Sequence, residues 1–129
     1  MAEAIVTLDP MWRGDYRVIE FVIDEPDPAN PGSRRPRNIT SDTFRFGAKK
    51  KLQETTPLFT KTSATGGGIT KTVPASGKGE IEIFASDTAT IAMSRDFSLE
   101  CDLEGTPSGS PPKPYTTRFR LPLRLDVSY

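Results

Sequence analysis

The sequence contains no histidine and only one cysteine, and each scarcity excludes a class of function. Without histidine, the commonest general base and metal ligand of proteins is missing. Cys101 cannot form an internal disulfide, and a single thiolate is too few for a structural zinc site. We therefore expect no catalytic residues, no metal ion and no cofactor, and we predict that the protein is not an enzyme.

Excess charge and long apolar runs are missing as well. Lysine plus arginine and aspartate plus glutamate each number 17, so the formal net charge is zero. A balanced chain has no global field that would attract nucleic acid or an anionic membrane. No apolar segment approaches the roughly 20 residues of a membrane-spanning helix, and the first residues lack the pattern of a signal peptide. We expect neither nucleic-acid nor membrane partners, and folding in a reducing cytoplasm.

What the sequence does contain is an alternation of apolar and polar side chains, clearest in residues 115–129. Phe119, Leu121 and Leu123 share one side of an extended chain there, while mostly polar residues fill the other side. Successive side chains of a strand point to opposite faces, whereas a helix would spread these residues around its circumference. The pattern predicts a long, half-buried strand at the C-terminal end.

Shorter segments repeat this alternation and are separated by turns rich in the twelve prolines and ten glycines. The predicted strands lie within 3–8, 15–24, 42–52, 58–62, 69–73, 80–85 and 97–103, and a helical turn is predicted at 88–93. Seven or eight short strands with almost no helix favour an all-β sandwich. We predict one β-sandwich domain over residues 13–129, preceded by an N-terminal arm or edge strand over residues 1–12.

The inward-facing apolar residues of these strands predict the core between the two sheets. The expected core residues are Ile19, Phe21, Ile23, Phe44, Phe46, Ile81, Ile83, Phe97, Leu99, Phe119, Leu121, Leu123 and Leu125. Cys101 falls on the same apolar side of its strand, so we interpret it as a buried, unreactive thiol. Carboxylates two residues apart, such as Glu80 and Glu82, are interpreted as a solvated outer face.

Residues 25–37 interrupt the strand pattern with four prolines and three arginines. Such a segment predicts an exposed loop of about a dozen residues, which is long for a compact domain and typical of functional loops. Trp12 could be a core anchor or a contact for a partner chain, and the sequence leaves both readings open. The candidate partner-contact residues are Trp12, Tyr16, Arg34, Arg35 and Arg37.

Arg13-Gly14-Asp15 matches the tripeptide that integrins bind, but a three-residue match is expected by chance. It precedes a predicted strand, so we interpret it as a turn.

The order of short phrases along the chain resembles a known module. Arg13-Gly14-Asp15 opens a strand, Asn38-Ile39-Thr40-Ser41 precedes Phe44-Arg45-Phe46, and Asp87-Thr88-Ala89-Thr90-Ile91 precedes the acidic strand. In this order the chain is similar to the N-terminal immunoglobulin-like module of phage baseplate upper proteins, and to small virion proteins that share it. The proline-rich segment 25–37 is longer than that family would suggest.

The resemblance implies an immunoglobulin-like antiparallel β-sandwich of seven to eight strands, with at most one or two helical turns. It implies a structural subunit of a tailed-phage virion that binds other virion structural proteins, and it brings no catalytic residues. We expect an adaptor, connector or decoration protein of the baseplate, neck or head, made in the host cytoplasm and packed as a homo-oligomer. The alternative is a carbohydrate-binding sandwich for host-surface attachment, with Trp12, Tyr16 and Tyr115 as its aromatic contacts.

Overall fold

A computed structural model describes residues 5–51, 53–109 and 113–125 of the chain. Its elements, in chain order, are β1 (Ile5–Thr7), β2 (Met11–Trp12), β3 (Arg17–Val22), β4 (Asp24–Pro26), β5 (Arg34–Pro36), β6 (Thr43–Lys49), β7 (Phe59–Thr62), β8 (Ile69–Val73), a 3-10 turn (Pro74–Ser76), β9 (Lys78–Ile83), α1 (Ala85–Ala89), β10 (Phe97–Thr106) and β11 (Tyr115–Arg124).

Two sheets carry the fold. The large sheet has the order β1-β11-β10-β6-β7, and β2 continues β1 along the same side of β11. The small sheet has the order β3-β9-β8, and β4 and β5 pair separately as a hairpin. Both β1 and β2 run parallel to β11, while the other strand pairs are antiparallel.

This order matches the C′-C-F-G and B-E-D arrangement of immunoglobulin-like sandwiches. The prediction of an all-β, immunoglobulin-like sandwich is confirmed. If β1 and β2, which lie one after the other beside β11, are counted as one strand, the two sheets have eight strands. The helical content of the described residues is one short α-helix and one 3-10 turn.

The core lies between the sheets and is built by the predicted alternation. Phe46, Leu99 and Leu121 are fully buried, as are Ile81 and Ile83 from the small sheet. Apolar residues that the prediction omitted complete this core: Met11, Ile39, Ala48, Ile69, Ile91 and Leu103. Cys101 is buried among them, as expected.

Two predicted core residues lie only at the margin of the core, and both ends of the predicted helical turn were wrong. Phe97 and Leu125 are only half-buried, because Phe97 begins β10 and Leu125 follows the end of β11. The helical turn lies at Ala85–Ala89 instead of residues 88–93, since the Asp87 carboxylate accepts the Phe84 N–H and fixes an earlier start. The parts of the predicted strands and arm at 1–4, 52 and 126–129 lie outside the described residues.

The predicted irregular loop at 25–37 is wrong for its two arms, which form the β4–β5 hairpin. Glu25 pairs across the hairpin with Arg35, and Arg35 Nη2 lies 2.8 Å from Glu25 Oε2. The tip is closed by Asp27, whose N–H donates to Ser33 O and whose carboxylate accepts the Ala29 N–H. The opposite charges of Glu25 and Arg35 therefore stabilise the pairing of β4 with β5, which the proline content of the segment did not predict.

Candidate partner-contact surface

The small sheet presents an outer face that combines apolar and acidic side chains. Ile19, Phe21 and Ile81 point into the core, so the residues between them along β3 and β9 point outward. We call the following residues the outer face: Tyr16, Val18, Glu20, Val22, Glu80, Glu82 and Phe84. Tyr16 is 56% exposed and Val22 is 54% exposed.

Aromatic contacts order one corner of the outer face. The rings of Tyr16 and Phe84 lie 6.2 Å apart, and the Tyr16 hydroxyl donates a hydrogen bond to Glu82. That hydrogen bond, followed by desolvation and then by the negative charges of Glu82 and Glu80, raises the pKa of Tyr16. The Lys61 ammonium lies 4.5 Å from the centre of the Phe84 ring and also forms an ion pair with Asp87.

Open strand edges frame the same sheet. β3 is the first strand of the small sheet, and no described strand pairs with its other side. An open edge presents unpaired backbone groups and can accept a strand from another chain. The outer face and its edge therefore offer both side-chain and backbone contacts to a partner.

The five predicted contact residues do not form one patch. Trp12 is 46% exposed in β2, with the Arg124 guanidinium 5.9 Å from its ring centre. Tyr16 belongs to the outer face, while Arg34 and Arg35 lie on β5 of the hairpin. Arg34 donates to the Asp24 carbonyl, and Arg35 pairs with Glu25, so both are exposed but held in place.

Arg37 is committed to an internal network. Its Nε donates to Asp42 Oδ2 at 2.9 Å, its Nη2 donates to Asp42 Oδ1 at 3.2 Å, and its Nη1 donates to Glu25 at 3.2 Å. The Tyr115 hydroxyl donates to Asp42 Oδ2 at 2.6 Å, and the Arg37 guanidinium lies 5.3 Å from the Tyr115 ring centre. Arg37 therefore joins the hairpin to the sandwich, and Tyr115 supports that junction.

The charges of this network follow from its burial. Asp42 is only 2% exposed, and burial alone would raise the pKa of its carboxyl. Hydrogen bonds from Arg37 and Tyr115, with the positive charge of Arg37, outweigh burial and lower the pKa of Asp42. Burial, and then the hydrogen bond to Asp42, raises the pKa of Tyr115. The carboxylate is thus held ionised as an acceptor, which is a structural arrangement.

A second internal junction ties the Arg13-Gly14-Asp15 turn to α1. The buried Thr88 hydroxyl accepts the Gly14 N–H at 2.8 Å, and Arg13 Nη1 donates to the Ile91 carbonyl at 3.0 Å. The turn is therefore built into the sandwich by the Asp87-Thr88 segment, in keeping with its interpretation as a turn.

Lys61 and Asp87 form a further contact that the sequence interpretation missed. Lys61 lies on β7 opposite the buried Phe46, and its Nζ is 2.5 Å from Asp87 Oδ2. Asp87 thereby joins β7 to the start of α1. The sequence signal was a lysine at an inward-facing position of a strand, which calls for a buried anionic partner.

The described residues offer few candidate metal sites or nucleophiles. Within residues 5–51, 53–109 and 113–125, no group of three or more histidine, cysteine, aspartate or glutamate residues is placed to hold a metal ion. Burial, with lesser contributions from Asp102 and Glu100, raises the pKa of the Cys101 thiol to about 12, so the thiolate nucleophile is not formed near neutral pH. No helix in the described part of the chain has the length and hydropathy needed to cross a membrane.

Comparison with known proteins adds no family. No protein-family model matches the sequence, and no curated protein matches it significantly.

Proposed function

We propose that this protein is a non-enzymatic structural subunit of a tailed-phage virion, acting as an adaptor, connector or decoration protein. It would join other virion structural proteins in the baseplate, neck or head. The observation that carries the proposal is the outer face, where Tyr16, Val18, Val22 and Phe84 are exposed together beside an open strand edge. Clustered exposed apolar residues mark interaction surfaces on folded proteins.

The order of the elements supports the same role. Gly14 and Asp15 lie just before β3, Asp87 and Thr88 lie in α1 before β10, and β11 closes the large sheet, which is the order of phrases on which the resemblance to phage baseplate modules rests. The side chains of these phrases serve internal junctions, so they favour a shared scaffold and leave binding to the surfaces around it.

Quantitative mass spectrometry of purified particles, from the phage that encodes the chain, tests the proposal. We expect the protein in mature particles at a fixed copy number relative to the major capsid protein. A copy number equal to that of the capsid protein would assign it to the head surface, while a small symmetric number would assign it to the neck or baseplate. Absence from mature particles would refute the proposal.

A carbohydrate-binding role is the second candidate, and the exposure of Trp12 and Tyr16 favours it. Tyr115 does not support it, because its hydroxyl is used by Asp42. A glycan array distinguishes the two: reproducible binding that is lost in Trp12→Ala and kept in Tyr115→Phe would favour glycan attachment over assembly.

A further inference from the structure

A basic pocket lies at one end of the large sheet, where β6 ends and β10 begins. Its volume is about 390 Å³, and it is lined by Lys50, Lys51 and Arg95 with two serines beside them. The half-buried side chains of Met93 and Phe97 supply an apolar lining. We call this site the end pocket.

The three cations of the end pocket form no ion pair with a residue that the structure describes. The ion pairs found there involve other side chains, and Lys50 instead lies 5.3 Å from the centre of the Phe97 ring. The neighbouring Asp96 carboxylate forms no ion pair with a described cation and accepts the Leu125 N–H at 2.8 Å. The end pocket therefore presents three positive charges over an apolar lining, which suits carboxylates flanked by apolar groups.

The outer face carries the complementary chemistry. Glu20 lies directly opposite Glu80 across the β3–β9 pair, and neither forms an ion pair with a described cation. Side chains on directly opposed positions lie about 5 Å apart, and like charges there destabilise a sheet. Val18 and Val22 flank Glu20 along β3 and are exposed.

One copy cannot bring these two surfaces together. The end pocket lies beyond the ends of β6 and β10 in the large sheet, whereas the outer face covers the small sheet on the other side of the core. Each surface is therefore available to another molecule, and each has the charge that the other lacks.

We propose that the end pocket of one copy binds the outer face of a second copy. Glu20 and Glu80 enter the end pocket of the neighbour and pair with Lys50, Lys51 and Arg95. The valines beside Glu20 cover Met93 and Phe97. This inference rests on the proposed structural role and specifies one of its partners: another copy of the chain, in a head-to-tail contact that can close into a ring or extend as a stack.

Charge-reversal variants test the contact by sedimentation velocity over a range of protein and salt concentrations. The pocket variant is Lys50→Glu with Arg95→Glu, and the face variant is Glu20→Lys with Glu80→Lys. Wild-type protein should self-associate and dissociate as salt rises, because exposed charges are screened. Each variant alone should associate at least about tenfold more weakly, since like charges then face each other.

Mixing the two variants gives the decisive result. The acidic pocket of the pocket variant should bind the basic face of the face variant, so the equimolar mixture should recover association. The matched control is Arg34→Glu with Lys113→Glu, which changes the net charge as much as the pocket variant but lies outside both surfaces. It should associate like the wild type, and circular dichroism should show that all three remain folded. If the face variant does not fold, Glu80→Gln should still weaken association.

Two outcomes would overturn the inference: a wild-type protein that stays monomeric at the highest concentration, or a mixture that stays monomeric when both variants are folded. Neither outcome bears on whether the protein is present in the particle. Failure of this contact and failure of the proposed function are therefore distinguishable.

Discussion

The charge of Asp42 is coupled to the fold through its hydrogen bonds. Its carboxylate accepts hydrogen bonds from Arg37 and Tyr115 while being almost completely buried. Because the pKa of Asp42 is lowered in the folded protein, the network stabilises the protein more when Asp42 is ionised than when it is protonated.

Asp42→Asn should lower the free energy of unfolding by about 2–3 kcal/mol at pH 7, because hydrogen bonds to a charged acceptor are lost. The pKa of Asp42 is lower in the folded state than in the unfolded state. Its stabilisation is therefore complete above the unfolded pKa and is lost as pH falls through the folded pKa. Urea unfolding from pH 6 down to pH 2 should show a steeper acid loss for the wild type than for the variant.

Asp24→Asn is the control for that experiment, since Asp24 is exposed and forms no ion pair with a described side chain. It should leave both the stability and its pH dependence nearly unchanged. Equal acid slopes for the wild type and Asp42→Asn would contradict the role assigned to Asp42.

Core packing makes a simpler prediction at the same scale. Phe46 and Leu99 have no exposed surface, so truncating either to alanine leaves a cavity and should cost about 2–5 kcal/mol. Leu58→Ala, at an exposed position, should cost much less. Denaturant unfolding measures all three, and a small effect of Phe46→Ala would argue against the sheet packing described above.

The turns between strands are fixed by side chains that reach across the sandwich. Thr88 lies in α1, and its hydroxyl accepts a hydrogen bond from the Gly14 N–H, just before β3. The short α1 helix therefore acts as the support for a turn that lies far from it in sequence.

Thr88→Val should lower the free energy of unfolding by about 1–3 kcal/mol, since the half-buried Gly14 N–H loses its acceptor while the side-chain volume is kept. Thr90→Val is the matched control, because Thr90 is exposed just after α1. Thermal unfolding followed by circular dichroism compares the two. Equal melting temperatures for both variants would contradict the role of the Thr88 hydroxyl.

Elements with a two-residue apolar period were predictable, and elements held by side-chain pairing were not. The alternation in β6, β10 and β11 indicates both the strand and its buried side. The β4–β5 hairpin has no apolar period, so only the acidic residues before its tip and the arginines after it indicated the pairing. The outer face was harder still, because its exposed valines have the same spacing as core residues.

Across the whole molecule, the strand order predicts where protection from hydrogen exchange is greatest. β10 is central, pairing with β6 on one side and β11 on the other, whereas β4 and β5 pair only with each other. Amides of β10 should exchange last and those of the hairpin first, because local opening is easiest where few contacts must break. Hydrogen-exchange mass spectrometry with overlapping peptides measures this order, and a hairpin protected as well as β10 would contradict it.

The parallel pairing of β1 and β2 with β11 has a mechanical consequence. Ile5 lies opposite Arg118 and Trp12 opposite Arg124, so the first and last described strands point the same way. Tension applied between the two ends of the chain would pull these strands past each other along their axes. Their backbone hydrogen bonds, including those from the Leu8 and Arg13 N–H groups, would carry the load together instead of breaking one at a time. A subunit pulled at its two ends would therefore need a high force to unfold, because these hydrogen bonds must break together. The β4–β5 hairpin, pulled apart from its open end, would need less force, because its hydrogen bonds would break one after another.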